Sequence, residues 1–295
     1  MTADGLALRI TAILFPIFAI VAVGYGYGRR HKPEMAVANR LNMDVFVPAL
    51  VFAAMAGKPF ELAAFGPLAL AALLVLLGTG AIAWVVAGWL GVAPKTFVPP
   101  MMFNNSGNIG LPLAYLAWGE AALPAAVVLF MVENTLHFSL GARLLDPRAS
   151  LLGLWRVPVV AAALAGLAVA LFKVALWPPA LVAVKMLGDV SIPLLLFALG
   201  VRLTDVSFRD WKVAVSGALL RPVVGMALAW ACTAGFGLAG RDAAMLLVFG
   251  ALPPAVLNFL FAERYRQEPE RVASIVLIGN LAALVFLPLA LALAL

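Results

Sequence analysis

Long apolar runs alternate along the whole chain with short breaks that contain charged residues, proline or glycine. Runs of about 20 apolar residues are long enough to cross the hydrocarbon core of a bilayer. All the breaks are short, so no soluble domain is inserted between the apolar runs. The pattern predicts an all-α polytopic membrane protein with ten transmembrane helices, at residues 6–28, 36–56, 62–91, 96–118, 121–142, 151–173, 180–201, 211–236, 242–262 and 272–293.

Composition agrees with a lipid environment. The 295 residues are 65% hydrophobic and only 12% charged, about half the charged fraction of a soluble domain. The net charge of +6 does not require a nucleic-acid partner, because basic loops on one membrane face produce the same total. The single cysteine, Cys232, excludes an internal disulfide, and with two histidines no metal site or other cofactor is expected.

The basic residues are distributed unequally between the two ends of the predicted helices. Of the 20 Lys and Arg residues, Arg221 lies within a helix, and 14 of the others follow the odd-numbered helices. The remaining five, on the opposite side, are Arg9, Lys58, Lys173, Lys185 and Arg241. The richer side, which includes Arg156 and Arg209, should be cytoplasmic. A multi-pass protein of the cell inner (plasma) membrane is therefore expected, with both termini periplasmic or extracellular.

An internal repeat relates the two halves of the chain. The segment "DVFVPALVFA" at 44–53 aligns without gaps to "DVSIPLLLFA" at 189–198, with six of ten positions identical and an offset of 145. Five helices per copy is an odd number, so the second copy enters the membrane inverted. Residues 1–145 and 146–295 are thus predicted as inverted five-helix repeats. Such repeats are typical of secondary transporters, with the site near the bilayer midplane between discontinuous helices.

The predicted fourth and ninth helices are interrupted at matching positions. "NNSGNIGLP" at 104–112 and "FGALPPAVL" at 249–257 are related by the same offset. Irregular backbone at membrane depth is tolerated only inside protein or beside a wet cavity, which predicts that the two breaks cross. The expected helix-breaking residues include Gly110, Pro112 and Gly250. The candidate substrate-binding residues are Asn104, Asn105, Ser106, Gly107, Asn108, Ile109, Pro253, Pro254 and Asn258. A glycine-rich helix contact, with the asparagines as structural donors, is the alternative.

Polar residues inside the other helices are candidates for coupling or charge balance: Glu133, Asn134, Arg221 and Asp189. Glu133 could exchange a proton, or could pair with Arg221 or His137. Arg221 could attract an anion, or could balance Glu133 or satisfy the break in the ninth helix. Asp44 and Asp189 each follow a basic residue by four positions, which favours local salt bridges. Asp189 is the better functional candidate of the two.

The chain resembles the auxin efflux carrier family, which includes bacterial carboxylate permeases of the malonate-carrier type. The resemblance covers essentially the whole chain and rests on "FPIFAIVAVGYGYGRR", "MDVFVPALVFAAM", "NNSGNIGLPL", "LGDVSIPLLLFALGVRL", "RPVVGMAL" and "AERYRQEPERVASIVLIGN". It implies a bile-acid-symporter-like arrangement, in which helices 1, 2, 6 and 7 form a scaffold and helices 3–5 and 8–10 a moving transport unit. It also implies homodimers. The long central loop of plant auxin carriers is absent, which favours a bacterial type.

The expected function is secondary active transport of a small organic anion, a mono- or dicarboxylate, by elevator-type alternating access. A sodium-coupled organic-anion symporter of the bile-acid type is the alternative, because a proton or a sodium gradient could drive the cycle. Two remote alternatives remain. Ser106 with His137 could suggest an intramembrane hydrolase, and broken helices also build channel filters. Neither explains the inverted repeat, so a carrier and not an enzyme is expected.

Overall fold

The protein is helical throughout the parts of the chain that the structure, a computed structural model, describes: residues 3–56, 62–149, 158–204 and 210–295. Lys58, Arg156 and Arg209, which entered the orientation argument, lie outside these residues, as does the start of the predicted sixth helix. The helices are α1 Ala3–His31, α2 Ala36–Ala56, α3 Leu62–Leu90, α4 Pro94–Met102, α5 106–118, α6 Glu120–Leu145, α7 Pro158–Leu171, α8 Pro178–Arg202, α9 Trp211–Phe236, α10 Gly240–Ala251, α11 Leu257–Arg264 and α12 Pro269–Ala294.

Seven of these helices are long and apolar enough to cross a membrane: α1, α2, α3, α6, α8, α9 and α12. The chain is therefore a multi-pass, all-α membrane protein. The predicted fourth helix corresponds to α4 and α5, and the predicted ninth to α10 and α11. Each of these four pieces is too short to span hydrocarbon alone.

Prolines shape two of the helices through wide, π-helical turns. Such a turn at Asn42–Phe46 precedes Pro48 in α2, and another at Ser106–Gly110 precedes Pro112 in α5. Proline has no N–H and collides with the preceding turn, so a local widening lets the helix continue through it. Both turns lie beside the cavity described below, where they reorient the adjacent side chains.

The helices pack as two groups. In the first group α1 pairs with α8 and α2 with α7, and α2 also contacts α8. In the second, α9 packs against α3, α10 and α12, while α3 packs against α4 and α6. Close approach depends on small residues, as is usual between membrane helices. A Cβ at Gly200 of α8 would collide with the backbone of α1 at Val21, and one at Gly225 of α9 with the carbonyl of Gly250.

Candidate functional site

The two interrupted helices meet at their breaks and are joined there by backbone hydrogen bonds. Asn104 lies antiparallel to Pro254 in an isolated bridge. The N–H of Asn105 donates to the carbonyl of Pro253 at 2.7 Å, and the N–H of Ala255 donates to the carbonyl of Phe103 at 3.0 Å. Each break thus supplies the hydrogen-bond partners that the other loses on leaving its helix, as irregular backbone requires in a membrane.

Side chains complete the capping of the carbonyl ends of α4 and α10. Asn104 Nδ2 donates to the carbonyl of Phe249 at 3.0 Å. Asn258 Nδ2 donates to the carbonyls of Phe103 at 3.0 Å and Ala255 at 2.9 Å. Arg221 Nη1 donates to the carbonyl of Gly250 at 2.9 Å. The negative ends of both first half-helices are therefore neutralised by protein donors.

The breaks lie slightly away from the residues expected to cause them. Gly107 and Gly110 are within the first turn of α5, and Pro112 follows in the same helix, after an interruption confined to 103–105. Pro112 does not end the helix, because the π-helical turn that precedes it lets α5 continue through the proline. Gly250 is likewise helical, and the second interruption runs over 252–256, with Pro253 and Pro254 inside it.

One residue of the crossing was missed by the sequence reasoning. Asn280 of α12 donates from Nδ2 to the carbonyl of Pro254 at 3.1 Å, and its Oδ1 accepts from Asn105 Nδ2 at 3.3 Å. The ring of Pro254 packs directly over Gly279, where a Cβ would lie only 2.5 Å from it. The "GN" pair of the motif "VLIGN" was the available signal, since an asparagine among apolar residues needs a partner.

A buried polar cluster on α6 lies directly behind the crossing. Glu133 is 3% exposed and accepts from Ser106 Oγ and Asn134 Nδ2, both at 3.1 Å. Its other oxygen lies 3.1 Å from His137 Nδ1. The His137 ring stacks on Phe103, with centroids 4.2 Å apart and planes 8° from parallel. Of the two partners expected for Glu133, Arg221 and His137, the structure places His137 within hydrogen-bond distance.

A cavity of about 410 Å³ opens at the crossing, between α2, α7 and α8 on one side and α6 and α11 on the other. The polar side chains that line it are Asn39, Asn42, Asp44, Asn104, Asn105, Asn108, Glu133, Asn134, His137 and Arg202. Asn108 makes no side-chain hydrogen bond to any described residue, so its amide is available to a ligand. The backbone N–H groups of 106–108 also have no acceptor in the described chain, as is usual in the first turn of a helix.

Several candidates lie away from this cavity. Arg221 is 0% exposed and does not line it. Ser106 and Asn258 are buried and bonded within the protein, and Ile109 faces another cavity, of about 540 Å³, beside α1 and α12. Asp189 is exposed and lines a third cavity of about 300 Å³. The salt bridge expected between Lys185 and Asp189 is replaced by one to Glu120, with Nζ to Oε1 at 2.8 Å.

The third cavity is related to the crossing cavity by the sequence repeat. It is lined by Leu50, Ala53, Ala54 and Asp189, whereas the crossing cavity is lined by Leu195, Ala198, Leu199 and Asp44. Each pair of counterparts is separated by 145 positions. The two cavities lie at opposite ends of α2 and α8. Within the described ranges, no three His, Cys, Asp or Glu side chains are grouped so as to hold a metal ion.

Crossed helix breaks of this kind are typical of membrane transport proteins, and comparison with known sequences supports that class. Residues 147–291 match the family described as "Membrane transport protein". The chain is also 25% identical over 304 aligned positions to a Rhizobium meliloti (strain 1021) protein named "Putative malonate transporter", and the alignment covers 92% of both chains. These matches confirm the resemblance to the auxin efflux carrier family and indicate a transporter, not an enzyme.

Proposed function

We propose that the protein is a secondary active transporter that moves a small organic anion, a mono- or dicarboxylate, by elevator-type alternating access. The observation that carries this proposal is the cavity of about 410 Å³ at the crossing of the two broken helices. Its volume is within the range of small-molecule sites. The relative named as a malonate transporter favours a dicarboxylate of metabolite size.

The expected sign of the substrate's charge follows from which half-helix ends are already capped by protein groups. The carbonyl ends of α4 and α10 are capped by Asn104, Asn258 and Arg221. The N-terminal N–H groups of α5 remain open at the cavity, and a helix N-terminus acts like about +0.5 charge. The guanidinium of Arg202 and the amide of Asn108 also line the cavity wall. This combination favours a carboxylate over an amine or a sugar.

The sequence repeat supports the proposed alternating-access mechanism. The contact of α1 with α8 has its counterpart in that of α7 with α2, as an inverted repeat of 1–145 and 146–295 requires. The crossing cavity and the third cavity, at opposite ends of α2 and α8, then correspond to the inward and outward routes. In this proposal α1, α2, α7 and α8 are the scaffold, and the remaining helices move the crossing between the two routes as one transport unit.

The proposed setting is the cell inner membrane, with both termini outside the cytoplasm. Asn39 and Arg202 of the crossing cavity lie beside loops that the basic-residue bias assigns to the cytoplasm, so this structure corresponds to an inward-facing state. The scaffold helices α1 and α8 carry exposed apolar side chains, including Phe15 and Met186. We assign this surface to lipid and to a homodimer contact.

Binding and flux measurements test the proposal. Purified protein should be stabilised against heat by dicarboxylates and monocarboxylates and not by amines or neutral sugars. Proteoliposomes should show saturable uptake and counterflow of the stabilising acid, which separates a carrier from a channel. The Asn108→Asp variant, which keeps the size but adds a negative charge at the cavity, should lose both responses. Stabilisation by amines alone would overturn the assignment.

A further inference from the structure

We infer that the buried pair Glu133–His137 binds one proton together with each substrate anion, which makes the protein a proton–carboxylate symporter. This inference rests on the proposed function and adds the identity of the coupling ion. The pair is enclosed within the protein, with side chains 4% and 1% exposed, yet both residues line the crossing cavity. A buried ionisable group in a membrane protein is typical of a proton relay.

The geometry defines a loaded and an unloaded state. His137 Nδ1 lies 3.1 Å from Glu133 Oε1, whereas His137 Nε2 is buried without a partner in the described chain. With its proton, the pair consists of a carboxylate and an imidazolium and carries no net charge. Loss of the proton leaves the carboxylate beside a neutral imidazole, so that the pair carries a charge of −1. No other reactant is needed.

The pair touches both sides of the first break, so its charge acts on the substrate site. Glu133 accepts from Ser106 at 3.1 Å, and Ser106 begins the helix whose open N–H groups face the cavity. His137 stacks on Phe103, whose carbonyl is part of the backbone bridge. A charge of −1 behind these groups repels an anion, and a neutral pair does not. Proton and anion therefore favour each other's binding, reciprocally.

Few other ionisable side chains face this pair from the elements packed around it. The other charged side chains on the cavity wall are Asp44 of α2 and Arg202 of α8. Of the other helices packed against α6, α3 has no titratable residue, α5 has only Tyr115, and α10 has Arg241 and Asp242 in its first turn. On α9, Arg221 is bonded to the carbonyl of Gly250, and its charge also interacts with that of Glu133. On α11, next to His137 through Phe261, Glu263 and Arg264 are exposed.

The same contacts disfavour a sodium ion at this position. A hard cation needs several oxygen ligands, and a carboxylate that accepts from three donors has few free lone pairs. Ser106, Asn134 and His137 already occupy the Glu133 oxygens. An imidazole in contact with the carboxylate would have to be displaced before the ion could bind. A proton needs no such rearrangement.

The test measures protons and anion together on the intact protein. Malonate is the probe, at about pH 6.5 to 8.5, where it is ionised and where imidazole titrates. We expect malonate affinity to fall at least about tenfold across this range, and addition of malonate to unbuffered protein at about pH 7.5 to take up about half a proton or more per site. An inward proton gradient should drive accumulation of malonate in proteoliposomes, and a sodium gradient should not.

Variants separate coupling from folding. Glu133→Gln should bind malonate with an affinity independent of pH, retain counterflow, and lose proton-driven accumulation. His137→Gln should also lose the pH dependence, but it leaves the Glu133 carboxylate without its partner, so its malonate affinity should stay at the weak level of the unprotonated wild type. The matched control is Glu263→Gln, which changes an exposed glutamate of α11 and should behave as the wild type. If Glu133→Gln fails to fold, the proton uptake of the wild type still decides, because it needs no substitution.

The outcomes distinguish this inference from the function on which it rests. Malonate binding without proton uptake, or accumulation driven by sodium alone, would overturn proton coupling and leave anion transport intact. Absence of any carboxylate binding or flux would instead overturn the proposed function. A pH-dependent affinity that persists unchanged in both Glu133→Gln and His137→Gln would assign the proton to another group and also reject the inference.

Discussion

The side-chain amide of Asn104 donates a hydrogen bond to the carbonyl of Phe249, which lies 145 residues further along the chain. The sequence repeat has the same offset, so Asn104 caps the residue that occupies its own position in the other half. Asn258 provides a similar bond in the opposite direction, to the carbonyl of Phe103. Each broken helix is thus capped by the other.

The asparagines at the crossing should divide into two functional types. Asn258→Leu removes the donor to two buried carbonyls and should lower the free energy of unfolding by about 1–3 kcal/mol, seen as a lower thermal midpoint in detergent. Asn108→Leu removes no protein hydrogen bond and should leave that midpoint nearly unchanged while weakening malonate binding. The reverse pattern would show that the two roles have been exchanged.

Arg221 should prove to be a stabilising residue and not a determinant of substrate charge. Arg221→Met leaves the carbonyl of Gly250 buried without its donor, which should cost about 1–3 kcal/mol of stability. Because Arg221 does not line the crossing cavity, the variant that remains folded should still prefer carboxylates to amines. Thermal unfolding and competition binding on the same sample check both statements. A switch of preference to amines would contradict them.

The ion pair between Lys185 and Glu120 should favour the state seen in this structure. It joins α8 to α6 beside the third cavity, and both side chains are about half exposed, at 50% and 52%. An exposed pair contributes about 0.2–1 kcal/mol, so Lys185→Ala should shift the population by up to roughly fivefold. A cysteine at Ala54, which lines the third cavity, should then react faster with a maleimide in a Cys232→Ala background.

A charge reversal provides the control for this ion pair. Lys185→Glu combined with Glu120→Lys restores an attractive pair at the same place, so labelling at Ala54 should return toward the starting rate. If the single and double variants label at equal rates, the ion pair does not influence the equilibrium. Comparing the double variant with both single variants also separates the energy of the ion pair from the effect of each substitution alone.

The orientation proposed from the basic residues is open to direct labelling. Cysteines at Arg30 and Arg148 in a Cys232→Ala background should resist a membrane-impermeant thiol reagent added outside intact cells. Both positions should become reactive once the cells are opened, which confirms that the thiols are present and accessible. Labelling of both from outside would reverse the topology.

Sequence reasoning identified the crossing segments but not the role of each residue within them. The spacing of Asn104, Pro253 and Pro254 and the repeat offset placed polar, helix-breaking residues in corresponding apolar runs. The donor partners were not predictable, because Phe249 and Phe103 lie about half the chain away from the asparagines that cap them. Local sequence also does not distinguish a proline that ends a helix from one that a widened turn accommodates, as at Pro112.

For charged residues, too, the sequence predicts the position along a helix but not the partner of the side chain. The sequence places Arg221 and Glu133 inside predicted helices, and both side chains are buried in the structure. The direction in which each side chain points depends on how the helix is rotated against its neighbours, and a single sequence with little amphipathic pattern does not fix this. Lys185 was therefore paired with Asp189 on its own helix instead of with Glu120 on another.

The two backbone hydrogen bonds that join the broken helices have an evolutionary consequence. Asn105 to Pro253 and Ala255 to Phe103 are joined through main-chain atoms alone, which every residue possesses except for the N–H of proline. Side chains that face the cavity, such as Asn108 and Val256, can therefore be exchanged without opening the junction. A lineage can acquire new selectivity by point substitution while the junction persists, and a protein engineer can use the same positions to retarget the transporter.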